Sequence, residues 1–381
     1  MAPVTTHSLP GHPGESRLIC SMFGLPIDRI TTGQVMDRVE SYVKSGKPHQ
    51  ILYLNAHCIN RSFDDDEYRA IIKQSDLVYA DGMGVVWASH LTHHPIPERV
   101  NIGDFLIPFC RWCYEKGYSV YFLGSESDIA RRCVEMIQEQ VPDLKVAGIR
   151  NGYFTPEEEK DIIKDIQEKR PEILLVGMGV PQQEKWLREH LQELNVPVAW
   201  GVGALFEYYA GKVSRAPYWM RSNGLEWLYR LILEPGRMWK RYLIGNILFI
   251  MRVIALVFID IIAATSAWFA AYGLRYSLSD WLGPINDLKP YVIAFPVIVL
   301  LWIFCSAWFG LYHRKKPLNE YQETYAILKA SFLGLMISAS AAFLMKGLDL
   351  GRTVVVTAAV LNFVFMMASR KMTSLFEIKN K

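Results

Sequence analysis

The chain lacks a cysteine framework. Its six cysteines, Cys20, Cys58, Cys110, Cys113, Cys133 and Cys305, fall at no disulfide or zinc spacing, and the lone C-x-x-C at Cys110 and Cys113 has no second pair. Packed thiols in a reducing compartment are expected instead. Strong charge of one sign is also missing: a net +3 over 381 residues, evenly spread, does not suit a phosphate backbone, so no nucleic-acid partner is expected. The stretch from Met1 to about Ser16 has no apolar signal-peptide core and is rich in Pro, Gly, Ser and Thr. Disordered chain is expected there, with the first domain beginning at residue 23. No G-x-x-x-x-G-K-[ST] loop and no clean dinucleotide fingerprint occur. His90, His93 and His94 lie in a polar, Pro-bearing loop without a matching ligand cluster and read as surface residues.

What is present averages two solvents. Hydrophobic residues make up 51% of the chain, but up to about Asn246 they come in short runs and beyond it in long ones. The first part alternates apolar strands with amphipathic helices: strands at 50–54, 77–80, 118–122, 173–176 and 198–202, and helices at 66–74, 105–116, 128–141 and 182–194. That alternation predicts a Rossmann-like, doubly wound α/β domain with a largely parallel sheet flanked by helices. An all-α transmembrane domain is predicted to follow it. The expected boundaries are 1–22 for the disordered N-terminus, 23–210 for the α/β domain, 211–252 for a basic and aromatic appendage, and 253–381 for the membrane region.

Three of these strands run into glycine-bearing loops: Asp81-Gly82, Gly124-Ser125 and Gly177-Met-Gly179. Each precedes a helix whose N-terminal amides can hold phosphate oxygens, and glycine allows a ligand close to the backbone. Together they suggest a phosphorylated ligand along the carboxyl edge of the sheet, where open α/β sheets bind. Asp81 is the carboxylate at that edge. Read by itself, a strand-end Asp-Gly is also a common turn or helix cap.

The segment 211–252 combines Arg215, Arg221, Arg230, Arg237, Lys240 and Arg241 with large aromatics, a composition that fits a membrane interface carrying anionic lipid or diphosphate. A helical path would align Arg230, Arg237 and Arg241, and Pro235 is expected to start a second helix within it. Candidate spans follow at 253–272, 291–312, 325–345 and 353–369. Asp260, Lys329 and Asn362 inside them should face other helices or the interface. Basic residues are denser before the first span, at His313–Lys316 and at Arg370-Lys371. That asymmetry predicts a multi-pass protein with both termini and the α/β domain in the cytoplasm.

Four motifs in order carry a resemblance: Tyr53–Cys58, Asp76–Trp87, Gly177–Trp186 and Val202–Pro217. Together they resemble the bacterial WecG/TagA/CpsF glycosyltransferase family over roughly Leu25 to Asn246. The resemblance implies transfer of a sugar, often of the N-acetylmannosamine type, from a UDP-sugar to a polyprenyl-diphosphate-linked saccharide at the inner membrane during bacterial surface polysaccharide synthesis. It implies Asp81 as catalytic base, with Asn55 and Gln183 beside the substrate. The implied substrate-binding set is Gly82, Gly124, Ser125, Gly179, Glu184, Arg215, Arg230, Arg237 and Arg241, the last three in an appendage that holds the diphosphate. Departures occur at Tyr53, where the family often has threonine, at Glu207, often aspartate, and in the shifted glycine of Arg99–Asp104. These put the donor sugar in doubt.

The chemistry needs a hydroxyl made nucleophilic and a diphosphate leaving group stabilised. Asp81 as a single base with in-line attack would invert the anomeric centre, and the arginines would clamp the diphosphate. No cofactor is expected. No metal is expected either, because Asp64-Asp65-Asp66, a superficial D-x-D element, carries helix-starting chemistry. The apolar tail resembles the four-helix membrane region of polyprenyl-phosphate sugar-1-phosphate transferases. Their following catalytic domain is not seen in this sequence, so the tail is expected to anchor the chain or to dock the initiating sugar-1-phosphate transferase. Two other readings stay open: a sugar-1-phosphate transferase, and a non-catalytic membrane scaffold.

Overall fold

The computed structural model describes residues 17–90, 95–285, 287–309, 311, 320–344 and 350–379. Met1–Ser16, His93, His94 and the basic stretch His313–Lys316 lie outside them. The chain divides into two units, one formed by 3–87 with 96–249 and the other by 88–95 with 250–381.

The first unit opens with a hairpin of β1 (Ile19–Met22) and β2 (Leu25–Asp28). The strand at Ile19–Met22 falls within the stretch 1–22 expected to precede the α/β domain. Phe23 and Gly24 both take positive φ, 55° and 71°, as a two-residue hairpin loop demands of its central residues. Six strands then form one parallel sheet: β3 (His49–Leu54), β4 (Leu77–Ala80), β5 (Val120–Gly124), β6 (Val146–Arg150), β7 (Ile173–Gly177) and β8 (Val198–Gly201). Their order is β4-β3-β8-β7-β5-β6, all parallel. The chain builds outward from β3 to β4, then crosses to the other half, so the strand order reverses at β3 and β8. Such a switch point opens a crevice at the carboxyl edge.

Alternate residues of each strand face opposite ways, and both faces are covered. Phe122, Leu175 and Trp200 pack with the helices Thr32–Ser45, Ile102–Lys116 and Ser127–Gln138. Tyr121, Leu174, Val176 and Ala199 pack with Pro156–Lys169 and Gln182–Leu194. Full burial on both sides explains why β7 is an unbroken apolar run. The helix at 102–116 starts a turn earlier than its expected bounds, across a kink at Phe105 (φ −127°). β6 and the helix Pro156–Lys169 escaped the sequence reading. β6 is a half-buried edge strand without a strong apolar period, whereas the helix buries Ile162, Ile163 and Ile166 at helical spacing, a period that its sequence does carry. Cys110 and Cys113 are buried thiols outside any disulfide, as are the other four cysteines.

The second unit is helical. Among the described residues, four helices are long and apolar enough to cross a membrane, with candidate spans at Pro235–Ser277, Leu288–Trp308, Tyr321–Ala341 and Arg352–Ser369. Asp260 is fully buried, and Asn362 is buried and donates its amide to Ser331 Oγ at 3.2 Å. Both therefore face other helices. Lys329 lays its ammonium on the Tyr325 ring, 4.1 Å from the centroid and one turn back along its helix, the geometry of a snorkelling lysine. Gly334 is a packing requirement, because a Cβ there would lie 2.2 Å from the Trp302 ring.

Candidate active site

The carboxyl ends of β3 and β4 bring Asn55 and Asp81 side by side. Leu54 pairs with Ala80, and the Asp81 amide donates to Leu54 O at 2.8 Å. Asn55 caps the helix Ala56–Asp64: its Oδ1 accepts from the amides of His57 (3.0 Å) and Cys58 (3.1 Å). With its oxygen taken by two N–H groups, only its Nδ2 is left to donate, and it donates to Asp81. A Cβ at Gly82 would lie 3.0 Å from Asn55 Cβ, so glycine lets the two loops close on each other.

The second donor to Asp81 comes from Asn101. Its backbone precedes the helix Ile102–Lys116, but its side chain makes no cap; Nδ2 donates to Asp81 Oδ1 at 2.5 Å. The strand-like bond from Val100 N to Ala80 O, 2.9 Å, holds this segment against the end of β4. Burial pushes the Asp81 carboxyl up to about 6, with Glu226 adding to the rise, while Arg99, Asn101 and Asn55 pull the other way. A carboxylate in this state can accept a proton near neutrality. That is the chemistry a turn-forming aspartate would not need.

Cations ring this group at two levels. Arg99 pairs with Asp104 and, at 3.2 Å, with Glu226. Asp104 also receives Arg215 at 2.8 Å and Arg221, and Arg215 donates to Gly103 O at 2.5 Å. Arg215 thus spends its Nη atoms on protein acceptors, while its buried Nε, like those of Arg230 and Arg241, has none among the described residues. Beyond it, Arg230 lies over the Tyr208 ring at 5.4 Å. Arg230 is buried and its Nε has no acceptor among the described residues. Tyr208 feels both Arg230 and Asp81, and Tyr53 feels Asp81, Glu184 and Arg241, which ties these side chains into one neighbourhood. Burial, then Arg241 and Arg61, lower the His57 imidazole to about 4, so it is neutral at physiological pH.

The three appendage arginines do not share one helical face. Pro235 starts a new helix at Glu234 (φ −131°), and residues 240–244 form a π-helical turn, which shifts the register between Arg237 and Arg241. Arg237 is 53% exposed in its side chain and paired with Glu234 at 2.9 Å. Arg241 Nε is buried with no acceptor among the described residues. Arg230 and Arg241 therefore belong with Asp81, and Arg237 stands apart.

Other expected contacts lie elsewhere. Gln183 is fully buried; its Oε1 accepts from Gly203 N at 2.9 Å and its Nε2 donates to Glu184 Oε1 at 2.7 Å. It holds the β8 loop and presents no free polar edge to a sugar. Burial drives the fully buried Glu184 up to about 8, so it is a protonated acid behind the sheet edge rather than a substrate ligand. Gly124 and Ser125 follow β5, four strands from β4 and roughly 19 Å away at ordinary strand spacing. A Cβ on Gly124 would lie 2.4 Å from Gly177 O, so glycine there serves backbone packing. Gly179, at φ +81°, has open space around its Cβ position. Asp65 caps the helix Asp66–Gln74 through Tyr68 N at 3.0 Å and pairs with Lys185 at 3.2 Å, in line with the helix-starting reading of that acidic triplet.

Sequence reasoning missed Asn101, Tyr208, Glu226 and His57. His57 falls inside the Tyr53–Cys58 motif and Tyr208 inside Val202–Pro217, with no role read for either, and Asn101 stands inside the Arg99–Asp104 segment as a helix-start asparagine. Its partner is 20 residues away, beyond any local pattern.

A family model described as Glycosyl transferase WecG/TagA/CpsF family matches residues 20–259. The chain is similar to N-acetylglucosaminyldiphosphoundecaprenol N-acetyl-beta-D-mannosaminyltransferase of Staphylococcus aureus strain MRSA252, at 28% identity over 222 residues, 58% of this chain and 85% of the relative. It is equally similar to the protein of that name in strain NCTC 8325 / PS 47, with the same identity and coverage.

Proposed function

The chain belongs to the WecG/TagA/CpsF glycosyltransferase family, whose model spans its residues 20–259, and on that premise we propose that it is an inverting transferase. It moves an N-acetylmannosamine-type sugar, or a related hexose or uronic acid, from a UDP-sugar to a polyprenyl-diphosphate-linked saccharide. The observation that carries this reading is the doubly hydrogen-bonded, half-buried Asp81 carboxylate beside the topological switch point. Names of the relatives, which act on a diphospho-undecaprenol-linked acceptor sugar by their titles, support the substrate class.

In the proposed step, Asp81 takes the proton of the acceptor hydroxyl as its oxygen bonds to the anomeric carbon. The bond from that carbon to the UDP diphosphate breaks on the opposite face, and UDP leaves with the electron pair. Arg230, buried, and Arg241, half-buried, each with an Nε that has no acceptor among the described residues, meet the charge that develops on the diphosphate. Asn55 and Asn101 orient the base, and Gln183 positions the loop behind it. Four candidate spans hold the chain at a bilayer. The bias of basic residues toward the side before the first span, the His313–Lys316 stretch and Arg370-Lys371 favours catalysis on the cytoplasmic face, and family membership favours the bacterial inner membrane.

The test uses the full chain in membranes, UDP-N-acetylmannosamine and a polyprenyl-diphosphate-N-acetylglucosamine acceptor. UDP release and an extended lipid-linked product are expected, both abolished in Asp81→Asn. UMP release instead of UDP would indicate a sugar-1-phosphate transferase. Undiminished turnover in Asp81→Asn would remove Asp81 as the base.

A further inference from the structure

The helix Gly245–Ser277 starts within the first unit, which runs to Phe249. Ile247 and Leu248 face outward, 62% and 42% exposed, whereas Phe249 is buried at 5%. Its ring packs on Gly84, where an added Cβ would come 3.7 Å from Phe249 Cε1. Gly84 belongs to the helix Met83–Ser89, which begins two residues after Asp81. The Val85 and Val86 amides of that helix donate to Gly82 O at 3.0 and 3.2 Å. The Phe249 ring also meets Phe23 edge to face, with centroids 6.5 Å apart at 76°. Phe23 in turn meets Phe63 at 5.7 Å, in the last turn of the helix Ala56–Asp64 that Asn55 caps. One turn before Phe249, Gly245 O accepts from Asn60 Nδ2 at 2.6 Å, and Asn60 stands on that same helix. The π-helical turn Lys240–Ile244, which carries Arg241, ends against this bond.

We propose that Asn60 and Phe249 are positioning residues for the transfer: they fasten residues 240–249 to the helices behind both catalytic loops, and so set where Arg241 and Asp81 stand. Asn60 acts on Arg241. One residue of helix is about 100° of rotation, so a π-turn that relaxed to α-helical register would swing Arg241 away from Tyr53 and His57, on which its charge acts. The bond from Asn60 pins the end of that turn. Phe249 acts on Asp81. Its ring lies on a residue without a side chain, so a displacement passes straight to the backbone of the helix that the Asp81-Gly82 loop begins, as close packing transmits strain. Transfer needs the base within a fraction of an ångström of the acceptor hydroxyl, and small misplacements from outside the reacting centre are costly.

This inference rests on the transferase reading, and the experiment separates the two. The full chain in nanodiscs is titrated with UDP by calorimetry, which counts competent sites. Turnover of UDP-N-acetylmannosamine with the polyprenyl-diphosphate-N-acetylglucosamine acceptor is then expressed per competent site. Asn60→Ala should weaken UDP about tenfold in the parent but less than about twofold in an Arg241→Ala background, because both act through one guanidinium. Phe249→Ala should lower kcat per site about tenfold with UDP affinity held within about threefold, and Phe249→Leu should recover most of the loss. A merely architectural role would cost competent sites and leave turnover and affinity per site unchanged; that result in both variants overturns the proposal. An Asn60→Ala effect that multiplies in full onto Arg241→Ala overturns the Asn60 assignment. If Phe249→Ala does not fold, turnover per site in Phe249→Leu equal to the parent's overturns the Phe249 assignment. A parent that binds UDP but transfers no sugar overturns the transferase reading, and the UDP affinities still decide whether Asn60 acts through Arg241. A parent that does not bind UDP overturns both.

Discussion

Asn101 donates its side-chain amide to Asp81 Oδ1 at 2.5 Å from a helix start that it leaves uncapped. The local helix end forgoes a stabilisation of about 1 kcal/mol, and the bond goes to the candidate base instead. A bond to the ionised carboxylate favours that form, so Asn101 works against the burial that lifts Asp81.

Asn101→Ala should therefore raise the Asp81 pKa further. The acid limb of the kcat/KM profile, expected near pH 6 in the parent, should move up by about one unit. A profile that falls in height without moving would show that Asn101 acts only on packing.

Asp81 also bears on stability. Its folded pKa of about 6 lies above the unfolded value, so the folded chain binds more protons between about pH 4 and 6. Stability then falls as pH rises through that window and levels off above it. Asp81→Asn should flatten this slope while abolishing transfer, as read from urea unfolding at several pH values. An unchanged slope would argue against the raised carboxyl.

Glu184 gives a second window. Held up to about 8 by burial, it contributes stability that is lost as pH rises from about 4.5 through 8. Glu184→Gln should match the parent within about 1 kcal/mol at pH 4.5, where the parent acid is protonated folded and about half so unfolded, and exceed it at pH 9. Thermal melts at the two pH values decide this, and a parent as stable as the variant at pH 9 would show that Glu184 ionises at no cost.

Gly124→Ala should destabilise the first unit by about 2 kcal/mol or more, because the added Cβ meets the Gly177 carbonyl 2.4 Å away and φ is +150°. Both contacts are backbone and cannot swing aside. A near-neutral change in the denaturation midpoint would mean that the β5 and β7 loops separate easily.

The appendage arginines should separate in a kinetic comparison. Arg230→Ala, which empties a buried site over Tyr208, should lower kcat/KM at least about tenfold. Arg237→Ala, exposed and paired with Glu234, should lower it less than about threefold. Equal losses would return both residues to one clamp.

The sequence by itself determined a good deal. Alternating apolar runs fixed the parallel α/β sheet, since a strand buried on both faces must be continuously apolar, and the long runs after residue 249 specified four helices. Asp81 was legible because strand-end positions follow from strand limits, and Asn55 only through the family resemblance that the Tyr53–Cys58 motif carries. Tertiary structure decided the rest. Whether Asn101 reaches Asp81, whether Arg99 finds Glu226 127 residues away, and whether Gln183 faces a ligand or the β8 loop depend on strand order and loop closure. Periodicity reports how each residue meets its own element's buried face. It carries no information on which distant loop will pack there, and the pairing of loops is what turns a strand-end aspartate into a candidate base.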